Sequence, residues 1–330
     1  MDQRKIAFVG FWRGFNPHHY FLTHLLKEKY DVIITDIESA DYLFFADASE
    51  DHWKVGHNCI KIFYTGEMVS PDFNACDYAI GFDLMEYGDR YYRLPLYYND
   101  EYSCKLMECK HQCDVKELIE KKKEFCSITV SNEKRDPFFK EIYHELSKYK
   151  KVDSGGKWNN NINGRVSDKL SFDSTHKFSI VCENCSFPGY TTEKLVEAFA
   201  ANCIPIYWGD PEITKVFNPK AFINVKDFSS IGAVADEVMK IDTDVSLYER
   251  MIQEPVYIDR KYLYSEQMDQ FKQFLFHIFD TPFEAAMRRN QGCSGVRYVR
   301  LRRIQRAWTM PYFKYRAIRR TMGDLLRKML

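Results

Sequence analysis

A chain of 330 residues is too long for one ordinary core and suits two domains of about 100–200 residues each. Its 47 basic and 47 acidic side chains balance, yet residues 288–328 hold 13 Arg or Lys against the acid Asp324, which leaves an acidic body of 34 basic and 46 acidic residues. No apolar run approaches the ~20 residues that cross a bilayer. The start MDQRKIAFVGFW has too short an apolar stretch and no small-residue cleavage site for a secretory signal, and the cysteines are scattered as reduced cytosolic thiols are. A cytoplasmic protein is expected.

Strand-like runs appear at Ile6–Phe11, Val32–Asp36, Tyr42–Ala46, Ile60–Tyr64 and Tyr78–Phe82, with a helical pattern over His19–Lys29 whose Phe21, Leu22, Leu25 and Leu26 share a face. A charged helix, Val115–Phe125, precedes a strand at Ser127–Val130, a helix at Pro137–Tyr149, a polar loop with Gly155 and Gly156, a strand at Phe178–Cys182, a helix from Thr191 or Thr192 to near Asn202, and a strand at Cys203–Trp208. AFINVKDF at 221–228 adds a strand, and helices fill much of 229–279. Strands alternating with helices predict α/β domains with parallel sheets. The boundaries expected are 1–114 for the first, 115–287 for the second with its linker helix, and 288–330 for a basic aromatic tail.

The most informative stretch is FSIVCENCSFPGYTTEKLVEAFAANCIPIYWGDP, Phe178 to Pro211. It reads strand, loop, helix, strand, and a helix start offers N–H groups and a positive dipole end to a phosphate. Lys194 sits in that first turn, where the dipole disfavours a cation; a bound anion would remove the penalty, and an ordinary surface lysine is the plainer explanation.

This string resembles the signature of the α1,3/4-fucosyltransferases, glycosyltransferase family 10. The family pattern runs Glu-Asn, a short loop, Tyr-x-Thr-Glu-Lys, a helix, then Pro-Ile-x-x-Gly. FYTGEMVSPDFNACDYAIGFD at Phe63–Asp83, continued by DRYYRLPLYY, is similar to the family's acceptor-side motif. The resemblance implies a GT-B architecture, two Rossmann-like α/β domains facing one cleft, of the shorter bacterial type that lacks the membrane anchor and luminal disulfides of animal members. It implies an inverting transfer of L-fucose from GDP-β-L-fucose to an N-acetylglucosamine-containing acceptor, forming an α1,3 or α1,4 linkage in surface glycan or lipopolysaccharide synthesis. The rival class is a membrane-docked nucleotide- or carbohydrate-binding protein of this fold without turnover.

The family role of general base falls on Glu67, here followed by Met68 where the family has Asn. Arg135, ahead of the helix near Pro137, can clamp phosphate oxygens bidentately, and the family has an Arg at the corresponding place on the diphosphate. By the same resemblance Lys194 contacts the diphosphate, Glu193 the sugar hydroxyls, Tyr190 the transferred sugar or phosphate, and Asn184 lines the pocket. No Asp-x-Asp metal-binding motif stands out in this region, and two cations with a helix end can replace a metal, so no required metal or other cofactor is expected.

The tail interleaves Arg with Tyr, Trp, Phe and Leu. An anionic membrane surface suits it; nucleic acid would reward the same charges but no nucleic-acid fold signature accompanies them, and a solvated helix packed on the acidic body is the plain alternative. A peripheral position on the inner face of the cytoplasmic membrane follows from the lipid reading. Cys182 and Cys185 are spaced as a redox pair but lie away from a helix start. Cys104, Cys109, His111 and Cys113 lack the paired halves of a zinc site. His18 and His19 cannot both face one way, and the Asn159–Asn161 run with Gly155 and Gly156 reads as a flexible loop that closes over a nucleotide or as a surface turn.

Overall fold

The computed structural model describes residues 2–54, 58–110, 114–131, 137–289, 292–305, 307–308 and 315. The chain divides into two units. The first is Met1–Gly81, Glu86–Tyr92 and Lys272–Leu330, and the second is Phe82–Met85 with Arg93–Phe271.

In the first unit the apolar runs become strands β1 (Gln3–Val9), β2 (Asp31–Ile34), β3 (Tyr42–Phe45), β4 (Ile60–Tyr64), β5 (Tyr78–Gly81) and β6 (Tyr91–Arg93), with helix α1 (Phe21–Lys27) crossing from β1 to β2. The sheet order is β2-β1-β3-β4-β5-β6. The pairs β1/β2, β1/β3, β3/β4 and β4/β5 are parallel. Every residue of β3, β4 and β5 is buried, as expected of parallel strands covered on both faces. The core is aromatic: Phe8 stacks on Phe44 at 5.1 Å and Tyr42 on Phe279 at 4.1 Å. The sequence placed the first helix from His19, but Pro17–His19 is a separate 3-10 turn whose His18 amide donates to Asn16 Oδ1.

The second unit begins with α2 (Glu101–Glu108) and α3 (Val115–Lys121), followed by β7 (Glu124–Ile128), α4 (Phe138–Ser147), β8 (Val152–Ser154), α5 (Lys169–Ser174), β9 (His176–Cys182), α6 (Glu193–Ala200), β10 (Ile204–Trp208), β11 (Ile223–Asn224), α7 (Ile231–Thr243) and α8 (Val245–Gln253). The order β11-β10-β9-β7-β8 is parallel throughout. Phe139, Ile142, Leu146, Phe178, Ile204, Val234 and Val238 close the core between sheet and helices. Helix α9 (Tyr264–Asp280) carries the chain onward: its residues through Phe271 group with the second unit and those from Lys272 with the first.

Three differences from the sequence reading have physical causes. The charged helix stops at Lys121 because Glu124–Ile128 pairs with β9, and the buried Lys122 ammonium donates to Ala201 O at 2.7 Å. The expected strand at 221–228 is two residues long and bends into a 3-10 turn at Val225–Asp227. Residues 93–110, expected with the first domain, pack on the second unit: α2 lies against α6, and Tyr98 donates to Tyr262 O at 2.7 Å.

The return of the chain to the first unit hangs on one carboxylate. Asp77 is fully buried and accepts from the amides of Lys61, Arg288 and Arg289 at 2.7, 2.8 and 2.8 Å, with Arg289 Nε at 3.3 Å. Arg288 meets Asp89 through both guanidinium nitrogens at 3.0 Å. The first two cations of the basic tail are therefore structural ties. Removing one partner of a buried pair strands the other charge, so Asp77→Ala is expected to lower unfolding free energy by about 3–5 kcal/mol in a urea titration.

Candidate functional site

Strand β9 ends at Cys182 and β10 at Trp208, directly opposite each other in register, so the two loops that follow leave the same sheet edge side by side. Each loop opens with a buried carboxylate. Glu183 is completely buried; its Oε1 accepts from the Thr192 amide at 2.8 Å and its Oε2 from the Thr192 hydroxyl at 2.7 Å and Lys194 Nζ at 2.9 Å. Asp210, 3 % exposed, accepts from the amides of Gly189 and Glu212 at 2.8 Å and from Thr191 Oγ1 at 3.2 Å. The loop from 184 to 192 is thus stitched down over its last four residues, Gly189 to Thr192. Gly209 lies between the carboxylates, and a Cβ there would stand 2.5 Å from Glu183 Cγ and 2.6 Å from the Tyr207 hydroxyl. That close approach explains the glycine in Pro-Ile-x-x-Gly. Burial beside the Glu183 charge pushes the Tyr207 phenol well up, so it stays a neutral hydroxyl and accepts from the Asp210 amide at 2.9 Å.

Lys194 lies in the first turn of α6, as expected, and its dipole penalty is answered from within the chain by Glu183. An ammonium has three donors; two go to Glu183 Oε2 and to Thr192 Oγ1 at 2.8 Å, which leaves a third. The Thr192 hydroxyl, spent on Glu183, caps none of the first amides of α6.

The other expected residues fall as follows. Glu193 is half-buried, 3.9 Å from Lys194. Asn184 is exposed at the start of the loop. Tyr190 is buried, its ring edge-on to Phe82 at 5.2 Å, so it packs the loop against its own unit. Arg135 lies outside the described residues. Glu67 is exposed in the turn after β4 of the first unit, held through its backbone: its amide donates to Thr65 Oγ1 at 3.0 Å, and that hydroxyl donates to Asp47 Oδ1 at 2.9 Å.

Glu183, Thr192 and Asp210 carry the geometry, yet sequence reasoning gave them no role beyond a strand boundary and a helix start. Lys226, after β11, was also missed; its ammonium meets Ser186 Oγ at 2.5 Å, and burial pulls its pKa down against the opposing pull of Asp210. The glycine–asparagine loop after β8 is a cross-braced turn rather than a flexible one: Asn161 bonds Ser154 N and Val152 O at 2.8 and 2.9 Å, and a Cβ on the buried Gly156 would lie 2.0 Å from Val130 O. Among the cysteines weighed for metal or redox chemistry, Cys104 is buried and donates to Tyr97 O, Cys109 is exposed, Cys182 is buried and Cys185 half-buried, and His111 and Cys113 lie outside the described residues.

Two parallel α/β units, with a charged loop–helix junction at the carboxyl edge of the second sheet, give the chain the GT-B fold. Family models agree: the α-(1,3)-fucosyltransferase FucT N-terminal domain matches residues 6–99, and the C-terminal domain of glycosyltransferase family 10 (fucosyltransferase) matches residues 119–271. The chain belongs to glycosyltransferase family 10. It is 36 % identical over 285 residues to the α-(1,3)-fucosyltransferase FucT of Helicobacter pylori, an alignment that covers 76 % of this chain and 59 % of that protein. A putative fucosyltransferase of Acanthamoeba polyphaga mimivirus is 35 % identical over 155 residues, covering 43 % of this chain and 26 % of the relative. The crystal structure of an α1,3-fucosyltransferase with GDP-fucose superposes with a TM-score of 0.68 at 27 % identity, covering 83 % of this chain and 91 % of that one.

Loss of Glu183 is expected to loosen the whole junction. Glu183→Gln keeps an acceptor but removes the counter-charge of Lys194, at about 1.5–3 kcal/mol, and Glu183→Ala removes both at about 3–5 kcal/mol. Urea unfolding measures the difference, and faster hydrogen exchange at the Thr192 amide locates it.

Proposed function

We propose that this chain transfers L-fucose from GDP-β-L-fucose to an acceptor containing N-acetylglucosamine, of the N-acetyllactosamine type, with inversion to an α1,3 linkage or its α1,4 counterpart, in the synthesis of surface glycan or lipopolysaccharide. The observation that carries the reading is Lys194, oriented by a buried carboxylate at a helix start with one ammonium donor and the first helical amides left for an anion. The solved relative with GDP-fucose supports the donor.

In this reaction Lys194 and Arg135 take up the charge that grows on the diphosphate as the bond from anomeric carbon to phosphate oxygen breaks. They contribute more in the transition state than before it. Glu67 accepts the proton of the acceptor hydroxyl as that oxygen attacks from the opposite face, so no covalent sugar intermediate forms. With two cations and a helix end neutralising GDP, no divalent metal is required. Glu193, Asn184 and Tyr190 shape the donor pocket, Glu193 toward the sugar hydroxyls.

The tail has a second role in this reading. Leu301, Ile304 and Trp308 are 55, 51 and 81 % exposed and recur at three- and four-residue steps of helix, interleaved with Arg297, Arg300 and Arg303. No described helix is long and apolar enough to cross a membrane. The pattern suits peripheral docking on anionic lipid at the inner face of the cytoplasmic membrane. Tyr298 tempers it, donating to Asp72 Oδ2, as does Arg303, which donates to Trp53 O at 2.9 Å; these residues are held on the first unit.

Two outcomes test the proposal. Glu67→Gln is expected to cut GDP release coupled to N-acetyllactosamine by about 10²- to 10⁴-fold with GDP affinity kept, while EDTA leaves the wild-type rate unchanged; unaltered turnover in the variant rules out the base. Truncation after residue 295 is expected to abolish sedimentation with phosphatidylserine vesicles, and equal sedimentation refutes docking by the tail.

A further inference from the structure

Trp12 lies in the loop that follows β1, in the unit that carries Glu67. Its indole is 57 % exposed. Three rings flank it: Phe15, Tyr20 and Phe11 meet it edge-on at 5.0, 5.7 and 5.9 Å. Phe11 and Phe15 stack on each other at 4.3 Å. Gly10, at φ +77°, lets the chain turn where a Cβ would lie 2.3 Å from Ala46 O, and the Phe15 amide closes the turn on Trp12 O at 3.2 Å. The result is an outward-facing aromatic ring braced by its neighbours.

Its position relative to Glu67 follows from the sheet. Strands β1 and β4 both pair in parallel with β3, so the Trp12 loop and the Glu67 turn leave the same edge. Phe11 lies parallel over Tyr64, ring centroids 6.1 Å apart, and Tyr64 is the last residue of β4, three before Glu67. The aromatic cluster thus joins the Trp12 ring to the strand that ends at the carboxylate.

We propose that Trp12 is a binding residue for the acceptor, on which the C–H face of a pyranose ring stacks while its hydroxyl is presented to Glu67. A hexopyranose is amphipathic, with axial C–H groups on one face and hydroxyls at the rim. An indole face carries negative quadrupole charge that attracts those hydrogens, and a preorganised ring costs little rotamer entropy on binding. The inference rests on the glycosyl-transfer reading above and deepens it by assigning an acceptor contact.

The test compares wild type, Trp12→Ala and Trp12→Phe with N-acetyllactosamine as the probe. Trp12→Ala is expected to raise the acceptor KM about three- to tenfold and to leave the GDP-fucose KM and acceptor-independent GDP release as they were, with Trp12→Phe recovering most of the loss. Saturation-transfer NMR of the same disaccharide reads binding without turnover: its signal should weaken in Trp12→Ala and return in Trp12→Phe. Equal acceptor KM and equal saturation transfer in wild type and Trp12→Ala overturn the inference. So does a wild-type chain that binds no disaccharide, and so does a Trp12→Ala defect in both substrates with a lowered melting temperature that Trp12→Phe repairs only by restoring the fold. Absence of fucose transfer by a wild-type chain that still binds the disaccharide through Trp12 counts against the transferase reading alone.

Discussion

Two buried carboxylates at the ends of adjacent parallel strands organise the second unit's charged loop. Glu183 and Asp210 each begin a loop where β9 and β10 stop pairing, and each collects backbone and hydroxyl donors that the ending sheet leaves without partners. A carboxylate in a low-dielectric setting is stable when its oxygens are filled with donors, so these two dictate where Gly189, Thr191, Thr192 and Lys194 sit. Gly209 is the steric counterpart: any side chain there would push the carboxylate out of place.

The same economy recurs in the first unit. Asp77 gathers three amides and a guanidinium, and so fastens the strand-rich N-terminal part to the chain that returns after α9. A tail that looks, by composition, like a free basic segment starts with two arginines committed to internal acids. Net charge counted along a segment therefore overstates how much of it is free. Among the described residues of the tail, Leu301, Ile304 and Trp308 stand exposed with their neighbouring arginines.

Much of the architecture was legible because its signals are local. Runs such as IKIFY and IPIYW are buried on both faces and become strands wherever they pair, and β4 has the predicted limits. The short pieces escaped: β8 has three residues and β11 two, too few for a periodicity, and both exist because a neighbouring strand supplies partners. The helix expected through Phe125 lost its last turn to strand pairing, since helix propensity is worth tenths of a kcal/mol per residue and a ladder with buried side chains outweighs it. At the junction, the position of Lys194 on a helix start was legible and its partner was not. Glu183 is eleven residues away, and the sequence shows it as the polar end of a strand.

The sequence by itself determined the alternation of strands and helices, the family signature, the helix start at Lys194 and the turn that carries Glu67, because each depends on residues within one or two turns of chain. The tertiary structure decided which carboxylate answers Lys194, why residue 209 must be glycine, where 93–110 packs, and that Trp12 stands exposed on an aromatic cluster shared with Tyr64. Those outcomes depend on parallel strands bringing distant loops to one edge. Register and close approach across a sheet are set by packing, which no local pattern encodes.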